Sequence, residues 1–231
     1  MKIMSFNTQH CKNYITGEID FQIMADAIKS VGADIVGLNE IRGEGVGAEY
    51  TAQTEKLALL SGLREFYFAP AIKFKAGPYG NAFISKYPII KAKNIPVPDP
   101  KVKKYNGYYE TRCLLKVKLS NGLTVLVIHF GLNRDEQENA VKTVLENLEN
   151  EKCVLMGDFN LKPNDELLKP IREKMVDTAD FFNEEKFSFP SDNPKQKIDY
   201  IFVSPDIKVI SADIPPIVAS DHRPHIAEIE F

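Results

Sequence analysis

The tetrapeptide Gly157-Asp158-Phe159-Asn160 follows an apolar run and carries two polar side chains that are two residues apart. In an extended backbone, side chains at positions i and i+2 point to the same side, so Asp158 and Asn160 are predicted to face one space. A carboxylate accepts hydrogen bonds, and an amide both donates and accepts them. Such a pair could hold a water molecule or a metal ion together with a phosphate oxygen. An Asx turn at the strand end would explain the same residues, and the tetrapeptide taken alone favours that turn.

Polar residues recur in this way within or just past other apolar stretches of the chain. A polar side chain in such a place costs free energy unless it is paired or bound. One case would be an ordinary paired core group, whereas a series of them at strand ends predicts a shared cleft. The other members of the series are Asn7, Glu40, Arg112, His129, Asp199, Asp221 and His222.

The residue types in this series predict hydrolysis of a phosphate ester with the help of a divalent cation. Carboxylates and an amide oxygen suit Mg²⁺ or Mn²⁺, and we expect one or two ions. The sequence has no cluster of histidines and cysteines that would indicate zinc. Two histidines and an arginine suit an anion whose charge grows during the reaction. A metal ion and a positioned water molecule would then carry out the hydrolysis.

The composition is typical of a globular protein and does not indicate nucleic-acid binding through overall charge. The 231 residues are 44% hydrophobic, and 29 Lys and Arg against 32 Asp and Glu give a net charge of −3. Because no linker or repeat is visible, we expect a single domain over residues 1–231. Residues 91–108 are locally basic, which indicates a solvated loop or, less commonly, a loop that faces the substrate. The lysines concerned are Lys91, Lys93, Lys101, Lys103 and Lys104.

The cysteines and the N-terminus indicate a cellular compartment. Cys11, Cys113 and Cys153 are isolated and odd in number, which favours a reducing compartment over a disulfide framework. The first residues show no secretory signal, and no stretch approaches the ~20 apolar residues of a membrane span. We therefore expect a soluble, cytoplasmic and monomeric protein.

Apolar periodicity and turn signals predict the elements that position the polar series. Asp20 is expected to cap the first helix and Gly32 to end it, Leu57 and Leu60 to face inward from the second, and Ser120-Asn121-Gly122 to form a hairpin turn. Hairpins outnumber crossovers, which favours two mixed, largely antiparallel sheets packed face to face with helices outside, an α/β (α+β) fold. Predicted helices are 20–31, 51–61, 134–148 and a short one near 164–175 broken at Pro170; predicted strands are 2–6, 34–38, 65–70, 80–86, 88–97, 109–119, 123–130, 153–156, 198–203, 207–212 and 225–231.

The polar series and its neighbours resemble the endonuclease/exonuclease/phosphatase superfamily, whose members include deoxyribonuclease I. The resemblance spans the chain in order and implies a four-layered α/β sandwich with a cleft across the sheet edges. The matching pieces are Ser5-Phe6-Asn7, Leu38-Asn39-Glu40, Gly80–Ile89, Glu110-Thr111-Arg112, Ile128-His129-Phe130, Gly157-Asp158-Phe159-Asn160, Ile198-Asp199-Tyr200-Ile201 and Ser220-Asp221-His222.

The resemblance also implies a metal side and a water side of the cleft. Glu40 would be the principal metal ligand with Asn7 beside it, and Asp221 could bind a metal as well. Asp158, helped by Asn160, would orient or deprotonate the attacking water.

Three further residues are implied on the phosphate side. His222 would contact the phosphate or transfer a proton while Asp199 holds it. His129 would be a second phosphate-side group. Arg112 could bind a phosphate oxygen, although an arginine next to Glu110 is as often a structural ion pair.

Some positions depart from the pattern or stay outside it. Asn39 stands where the family usually has Gln, a change expected to be tolerated. His10 matches no motif and is expected to be an ordinary surface or loop histidine. His225 is expected to belong to the last strand, with a role at the cleft edge as the alternative. Tyr108 and Tyr109 could line the cleft or pack in a strand.

We therefore expect a divalent-metal-dependent hydrolase of phosphate esters, acting on a phosphodiester or a phosphomonoester by in-line attack of an activated water. The substrate stays open between a small molecule, a lipid head group and a nucleic acid. One alternative is an endonuclease or exonuclease of the same superfamily. A non-catalytic binding protein on the same scaffold is an alternative of another class.

Overall fold

Two six-stranded β-sheets form the middle of the molecule, as a computed structural model covering residues 1–231 shows. The first sheet has the strand order β11-β12-β1-β2-β4-β3, and the second has the order β5-β6-β7-β8-β10-β9. The strands are β1 Lys2–Asn7, β2 Ile35–Arg42, β3 Glu65–Lys73, β4 Pro78–Ser85, β5 Ile89–Pro96, β6 Cys113–Leu119, β7 Thr124–His129, β8 Cys153–Asp158, β9 Val176–Asp177, β10 Asp199–Val203, β11 Lys208–Asp213 and β12 His225–Glu230.

Four α-helices complete the architecture: α1 Phe21–Val31, α2 Gln53–Ser61, α3 Arg134–Leu145 and α4 Lys169–Arg172. Only two neighbouring pairs of strands are parallel, β1 with β2 and β7 with β8, and the remaining pairs are antiparallel. The predicted fold class is confirmed: two mixed, mainly antiparallel sheets flanked by helices. None of these helices combines the length and the apolar character needed to cross a bilayer.

Three apolar layers hold the sandwich together. Side chains such as Phe83 and Met156 fill the space between the two sheets. The outer face of the first sheet packs against α1 and α2. The outer face of the second sheet packs against α3, with the rings of Phe130 and Phe159 stacked 4.4 Å apart. At Gly37 an added Cβ would lie 2.6 Å from the sulfur of Met156, so the absence of a side chain here makes room for Met156 of the facing sheet.

Helix α1 forms as its sequence predicts. The Asp20 carboxylate accepts hydrogen bonds from the backbone of Gln22 at 3.0 Å and of Ile23 at 3.1 Å, and Gly32 ends the helix at φ 64°. Helix α2 buries Leu57 fully, whereas Leu60 is 37% exposed. The prediction that Leu60 faces inward is therefore wrong: the residues that α2 buries are Gln53, Thr54, Leu57 and Ala58.

Several predicted boundaries also differ from the structure: β2 continues to Arg42 rather than ending at 38, and β3 continues to Lys73 rather than ending at 70. Strand β6 begins at Cys113 rather than at 109, since the preceding residues form a loop held by the first turn of α3. Helix α3 ends at Leu145 rather than at 148. Pro170 does not break a helix: it lies in the first turn of α4, where the missing N–H is tolerated.

Candidate active site

A cleft with a volume of about 560 Å³ opens where strand ends of the two sheets meet. The structure brings all nine residues of the predicted series to this region. Six line the cleft directly: Glu40, Arg112, His129, Asp158, Asn160 and His222. Asn7 and Asp199 are fully buried behind them and contact them through hydrogen bonds. Asp221 is partly buried beside His222, and its charge interacts with that of Glu40.

Strand β2 presents Glu40 through a local break in its pairing. The register of β2 with β4 shifts between Leu38 and Ile41, and Glu40 has a left-handed φ of 59°. Such a backbone is uncommon for a residue other than glycine and is found where the surroundings enforce it. The bulge places the Glu40 carboxylate in the cleft. Sequence periodicity alone predicts an uninterrupted alternation of side chains along this strand.

The Asn7 amide connects the two sheets beneath the cleft. Its Nδ2 donates to Glu40 Oε1 at 3.2 Å and to Asp158 Oδ2 at 3.1 Å, so one side chain touches a carboxylate from each sheet. Its Oδ1 accepts from the backbone N–H of Gln9 at 3.1 Å. In this orientation Asn7 offers its nitrogen to the carboxylates and spaces them apart.

The strand registers of the second sheet align three of the functional residues. His129 on β7 and Asp199 on β10 both pair with Asp158 on β8, one from each side. The Nε2 of His129 lies 3.5 Å from Asp158 Oδ2. Because residues paired across a sheet share a face, this alignment follows once the registers are set.

Asn160 reaches the cleft by a route other than the one predicted. Its φ is 50°, so the backbone after Asp158 is left-handed rather than extended, and the argument from i and i+2 is wrong in this detail. The backbone N–H of Asn160 donates to Asp158 Oδ1 at 2.9 Å, which is the Asx turn that the tetrapeptide favours. The Asn160 Nδ2 lies 3.1 Å from the carbonyl oxygen of Phe130 and 3.3 Å from His129 Nε2. Asn160 therefore takes part in the Asx turn and also lines the cleft.

His222 sits between two buried carboxylates. Its Nδ1 lies 2.8 Å from Asp199 Oδ2, and its Nε2 lies 3.6 Å from Asp158 Oδ2. Burial alone would lower the pKa of His222, but the carboxylates of Asp199 and Asp158 outweigh burial and raise it, so the imidazole is protonated at neutral pH. Burial raises the pKa of Asp158, and the positive charge of His222 opposes that rise. Asp158 is therefore a better proton acceptor than an ordinary aspartate.

His129, which also lines the cleft, is neutral. Burial lowers the pKa of His129 well below its usual value, and the charges of Arg112 and His222 lower it further. His222 is thus cationic and His129 neutral, so these two histidines have different chemistry: His222 can donate a proton and His129 can offer a lone pair.

The cleft walls supply aromatic surface and two arginines that are already paired. Arg112 forms an ion pair with Glu110, and Arg42 forms one with Glu49. Tyr108 lines the wall and is 65% exposed, whereas Tyr109 donates its hydroxyl to Asp135 Oδ2 at 2.9 Å outside it. The remaining apolar lining residues are Tyr50, Phe74, Tyr79, Leu132, Phe189 and Ile198. None of the lysines of residues 91–104 lines the cleft.

Comparisons with known proteins agree with this geometry. A sequence profile of the Endonuclease/Exonuclease/phosphatase family matches residues 4–222. The chain belongs to this family. No curated protein matches the sequence closely enough to count as a relative.

Solved structures of the endonuclease/exonuclease/phosphatase family superpose on this chain. A member from Beutenbergia cavernae is 20% identical, with a TM-score of 0.79 over 100% of this chain and 71% of its own. A family protein from Leptotrichia buccalis is 19% identical, with a TM-score of 0.78 over 100% of both chains. A mannosyl-6-phosphatase from Bacteroides thetaiotaomicron is 14% identical, with a TM-score of 0.76 over 100% of both chains. At these identities the likeness establishes a shared fold.

Asn39 joins strands of both sheets. Its Nδ2 donates to Asn81 Oδ1 at 2.8 Å and to the carbonyl oxygen of Ile128 at 3.0 Å, and its Oδ1 accepts from the N–H of Asp158 at 2.9 Å. Asn81 in turn donates to the carbonyl oxygen of Cys113 at 2.8 Å. Sequence reasoning missed this role, although an amide inside an apolar strand was a signal for it.

His10 is the functional-site residue that sequence reasoning placed elsewhere. It lines the cleft, with its Nε2 3.7 Å from Glu40 Oε2 and its ring edge-on to Tyr79 at 5.2 Å. The expectation of an ordinary loop histidine is therefore wrong. The signal was its position three residues after Asn7, which ends strand β1 and belongs to the site. His225, as expected, is part of the last strand, where it is buried against Thr178.

The donor groups on the Glu40 side fit the divalent cation that this family implies. Burial raises the pKa of Asp221; the charge of His222 opposes the shift, and that of Glu40 adds to it. A hard cation bound between two such carboxylates relieves their repulsion. Asp158, Asp199 and His222 also lie within 4.8 Å of one another. In that group the imidazolium already contacts Asp199 directly and supplies the positive charge, so the Glu40 side is the better fit.

Proposed function

We propose that the protein is a divalent-metal-dependent hydrolase of phosphate esters. One observation carries the proposal: a buried carboxylate–imidazolium group, formed by Asp158, Asp199 and His222, faces Glu40 across the Asn7 amide. The group of Asp158, Asp199 and His222 can move a proton, and Glu40 can hold a cation. The two functions need separate groups that lie close together, and Asn7 keeps them apart at hydrogen-bond distance.

The residues of the cleft divide the work of hydrolysis. Mg²⁺ or Mn²⁺, held by Glu40 and Asp221 with Asn7 nearby, would supply positive charge that polarises the phosphate ester. Asp158 is placed to orient the attacking water and to accept its proton, since its pKa is raised. His222 is placed to stabilise the growing negative charge as a cation, and Asp199 fixes its ring by the 2.8 Å contact to Nδ1.

Three other residues complete the phosphate side of this proposal. Asn160 can donate from its amide, because its Nδ2 already lies beside His129 in the cleft. His129, which is neutral, can donate or accept one hydrogen bond. Arg112 would reach a phosphate oxygen only by sharing its guanidinium with Glu110, which leaves it as an orienting group rather than a free cation.

The charges around the cleft favour a small phosphate ester over a polynucleotide. Binding along a nucleic-acid backbone requires several free lysines or arginines. Both arginines of the cleft, Arg42 and Arg112, are already paired with glutamates. Lys91 and Lys93 lie in a different groove, together with Lys116, on strands β5 and β6. The basic stretch therefore does not serve the cleft.

The apolar wall of the cleft fits a substrate with a ring next to its phosphate. Phe74 and Leu132 lie on the wall with much of their surface exposed, as does Tyr108. Exposed aromatic rings in a cleft are suited to stacking against a sugar or a base. The shared fold of a mannosyl-6-phosphatase is compatible with such a substrate.

The proposal extends to the cell compartment and the assembly state. All three cysteines, Cys11, Cys113 and Cys153, are free and buried. Unpaired cysteines are compatible with the reducing cytoplasm, and we propose that the protein acts there as a monomer.

The test is an assay of purified protein on a panel of esters with Mg²⁺, with Mn²⁺ and with a chelator. The panel includes sugar phosphates, nucleotides, inositol phosphates, sphingomyelin, RNA and plasmid DNA. We expect metal-dependent turnover of a small ester with DNA intact. Asp158→Asn should lower kcat by about 10²–10⁴-fold, the range of a lost general base. Asp165→Asn, which removes a partly exposed ion pair with Arg134, is the matched control and should retain activity.

Two results would contradict the proposal. Activity that persists in the chelator would exclude the metal. Near-normal activity of Asp158→Asn would exclude its role as the base. Cleavage of nucleic acid alone would instead support the nuclease alternative. If the wild-type protein hydrolysed none of the esters but bound one of them tightly, the result would support a binding protein.

A further inference from the structure

The segment between strand β1 and helix α1 has an unusual backbone at the edge of the cleft. Three consecutive residues other than glycine, Gln9, His10 and Cys11, have left-handed φ values of 45°, 60° and 61°. Side chains disfavour this conformation, and successive residues rarely adopt it. The segment is held in place because Asn7 Oδ1 accepts from the Gln9 N–H at 3.1 Å and Gln53 Nε2 donates to the His10 carbonyl at 2.8 Å. The fold therefore enforces the position of His10.

The imidazole that this backbone positions makes no side-chain hydrogen bond of ordinary geometry. Its Nδ1 is buried and has no hydrogen-bond partner. Its Nε2 faces Glu40 Oε2 at 3.7 Å, which is longer than a hydrogen bond. Packing against Tyr79 would explain an apolar ring here, but it leaves the buried Nδ1 without a hydrogen bond, which is unfavourable. Strain and an unpaired polar group together are typical of a functional site.

The distance between His10 and Glu40 is that of two ligands of one cation. Donor atoms that bind an ion at about 2.1 Å, at angles of roughly 90° to 120°, lie about 3.0 to 3.6 Å apart. The 3.7 Å between His10 Nε2 and Glu40 Oε2 is close to the upper end of that range. Glu40 is itself left-handed, with φ 59°, so both facing residues are held by constrained backbones. A nitrogen and a carboxylate oxygen that face each other at 3.7 Å offer a cation one donor of each kind.

We propose that His10 is a nitrogen ligand of the cation that Glu40 binds, an inference that rests on the proposed function. The nitrogen determines which ion the site prefers. Mg²⁺ favours oxygen donors and keeps its water, whereas Mn²⁺ accepts imidazole more readily and binds more tightly to mixed nitrogen and oxygen sites. The site therefore selects Mn²⁺ over Mg²⁺.

The test is pulsed electron paramagnetic resonance on the protein loaded with Mn²⁺. This measurement detects the hyperfine coupling of a nitrogen that is bound directly to the ion and does not depend on activity. We expect the coupling in the wild type and its loss in His10→Asn, which tolerates the left-handed backbone. His10→Gly is the second variant in case Asn impairs folding. His129→Ala removes the other neutral histidine of the cleft and should keep the coupling.

Titration calorimetry gives the second readout. In His10→Asn, Mn²⁺ should bind at least about tenfold more weakly and Mg²⁺ should change by less than about threefold. Bound Mn²⁺ without nitrogen coupling in the wild type would overturn this inference and leave the proposed function standing. Coupling that disappears in His129→Ala but persists in His10→Asn would also overturn it. If neither ion binds the wild type at millimolar concentration, the proposed function fails as well.

Discussion

Substitution of Asn39 by alanine should destabilise the protein far more than the loss of one polar side chain usually does. The three hydrogen bonds of this fully buried amide run to Asn81, to the carbonyl of Ile128 and to the N–H of Asp158. Alanine removes all three and takes one buried hydrogen bond from each of the three partners at the junction of the two sheets.

The magnitude follows from the number of groups left unpaired. Each buried donor or acceptor without a partner costs about 1–3 kcal/mol, so three give roughly 4 kcal/mol after partial relaxation. For a chain of this size, each kcal/mol lowers the melting temperature by about 2–4 °C, so Asn39→Ala should melt roughly 10 °C lower. Activity should fall as well, because Asn39 holds the backbone of Asp158. We expect kcat to drop by about tenfold or more even where the variant is fully folded.

The assay is equilibrium unfolding in urea, followed by circular dichroism, with Asn94→Ala as the matched control. Asn94 is half-buried on the edge strand β5 and donates one hydrogen bond, to the carbonyl of Pro70 at 2.7 Å. Its loss should cost about 1 kcal/mol. If Asn39→Ala were no less stable than Asn94→Ala, the cross-sheet role of Asn39 would be refuted. A stable variant with unchanged kcat would refute its link to Asp158.

Two further predictions concern the cation and the response to acid. Mn²⁺ at 100 times its Kd should stabilise the wild type by about 2.7 kcal/mol in a thermal-shift measurement, whereas Glu40→Gln should show little of this gain; an equal shift in both would place the ion elsewhere. Burial lowers the pKa of His225 from 6.5 to about 4, and the charge of Lys197 adds to the shift. The unfolded chain therefore takes up this proton first, so the stability that His225 provides is complete above about pH 6.5 and is lost as the pH falls to about 4, by roughly 3 kcal/mol in total. Urea unfolding of His225→Gln should show a shallower loss over this range than the wild type, and parallel curves would contradict the assignment.

The fold was predictable from the sequence because its signals are local. Asp20 caps α1 and Gly32 ends it by backbone effects that need no tertiary contact. The hairpin turn at residues 120–122, with Gly122 at φ 89°, is local in the same sense. Residues 109–112 were harder, because Tyr109 and Glu110 donate hydrogen bonds to the carboxylates of Asp135 and Glu136 on α3. These bonds hold the segment in a loop, and such distant partners leave no trace in the local pattern.

The composition of the site was predictable and its backbone was not. Polar residues inside apolar strands pointed to the cleft, because burial of a polar group without a partner is unfavourable. Glu40, Asn160 and His10 all have left-handed backbones, and no periodicity rule for strands or helices anticipates such a conformation. The alternation rule for strands placed Asn160 in the cleft, although its backbone is left-handed rather than extended, and it gave His10 no role. Positive φ at residues other than glycine is visible only in the structure.

Neutral amides connect the two halves of this site, and that choice has a physical reason. Asn7 and Asn39 contact groups from both sheets and are fully buried. An amide can donate and accept at once without adding charge, so it satisfies buried backbone groups and spaces Glu40 from Asp158. A charged residue at either position would shift the pKa of Asp158 and compete with a cation at Glu40. Because the same amides join the sheets and set the distances of the cleft, stability and catalytic geometry in this fold depend on the same contacts.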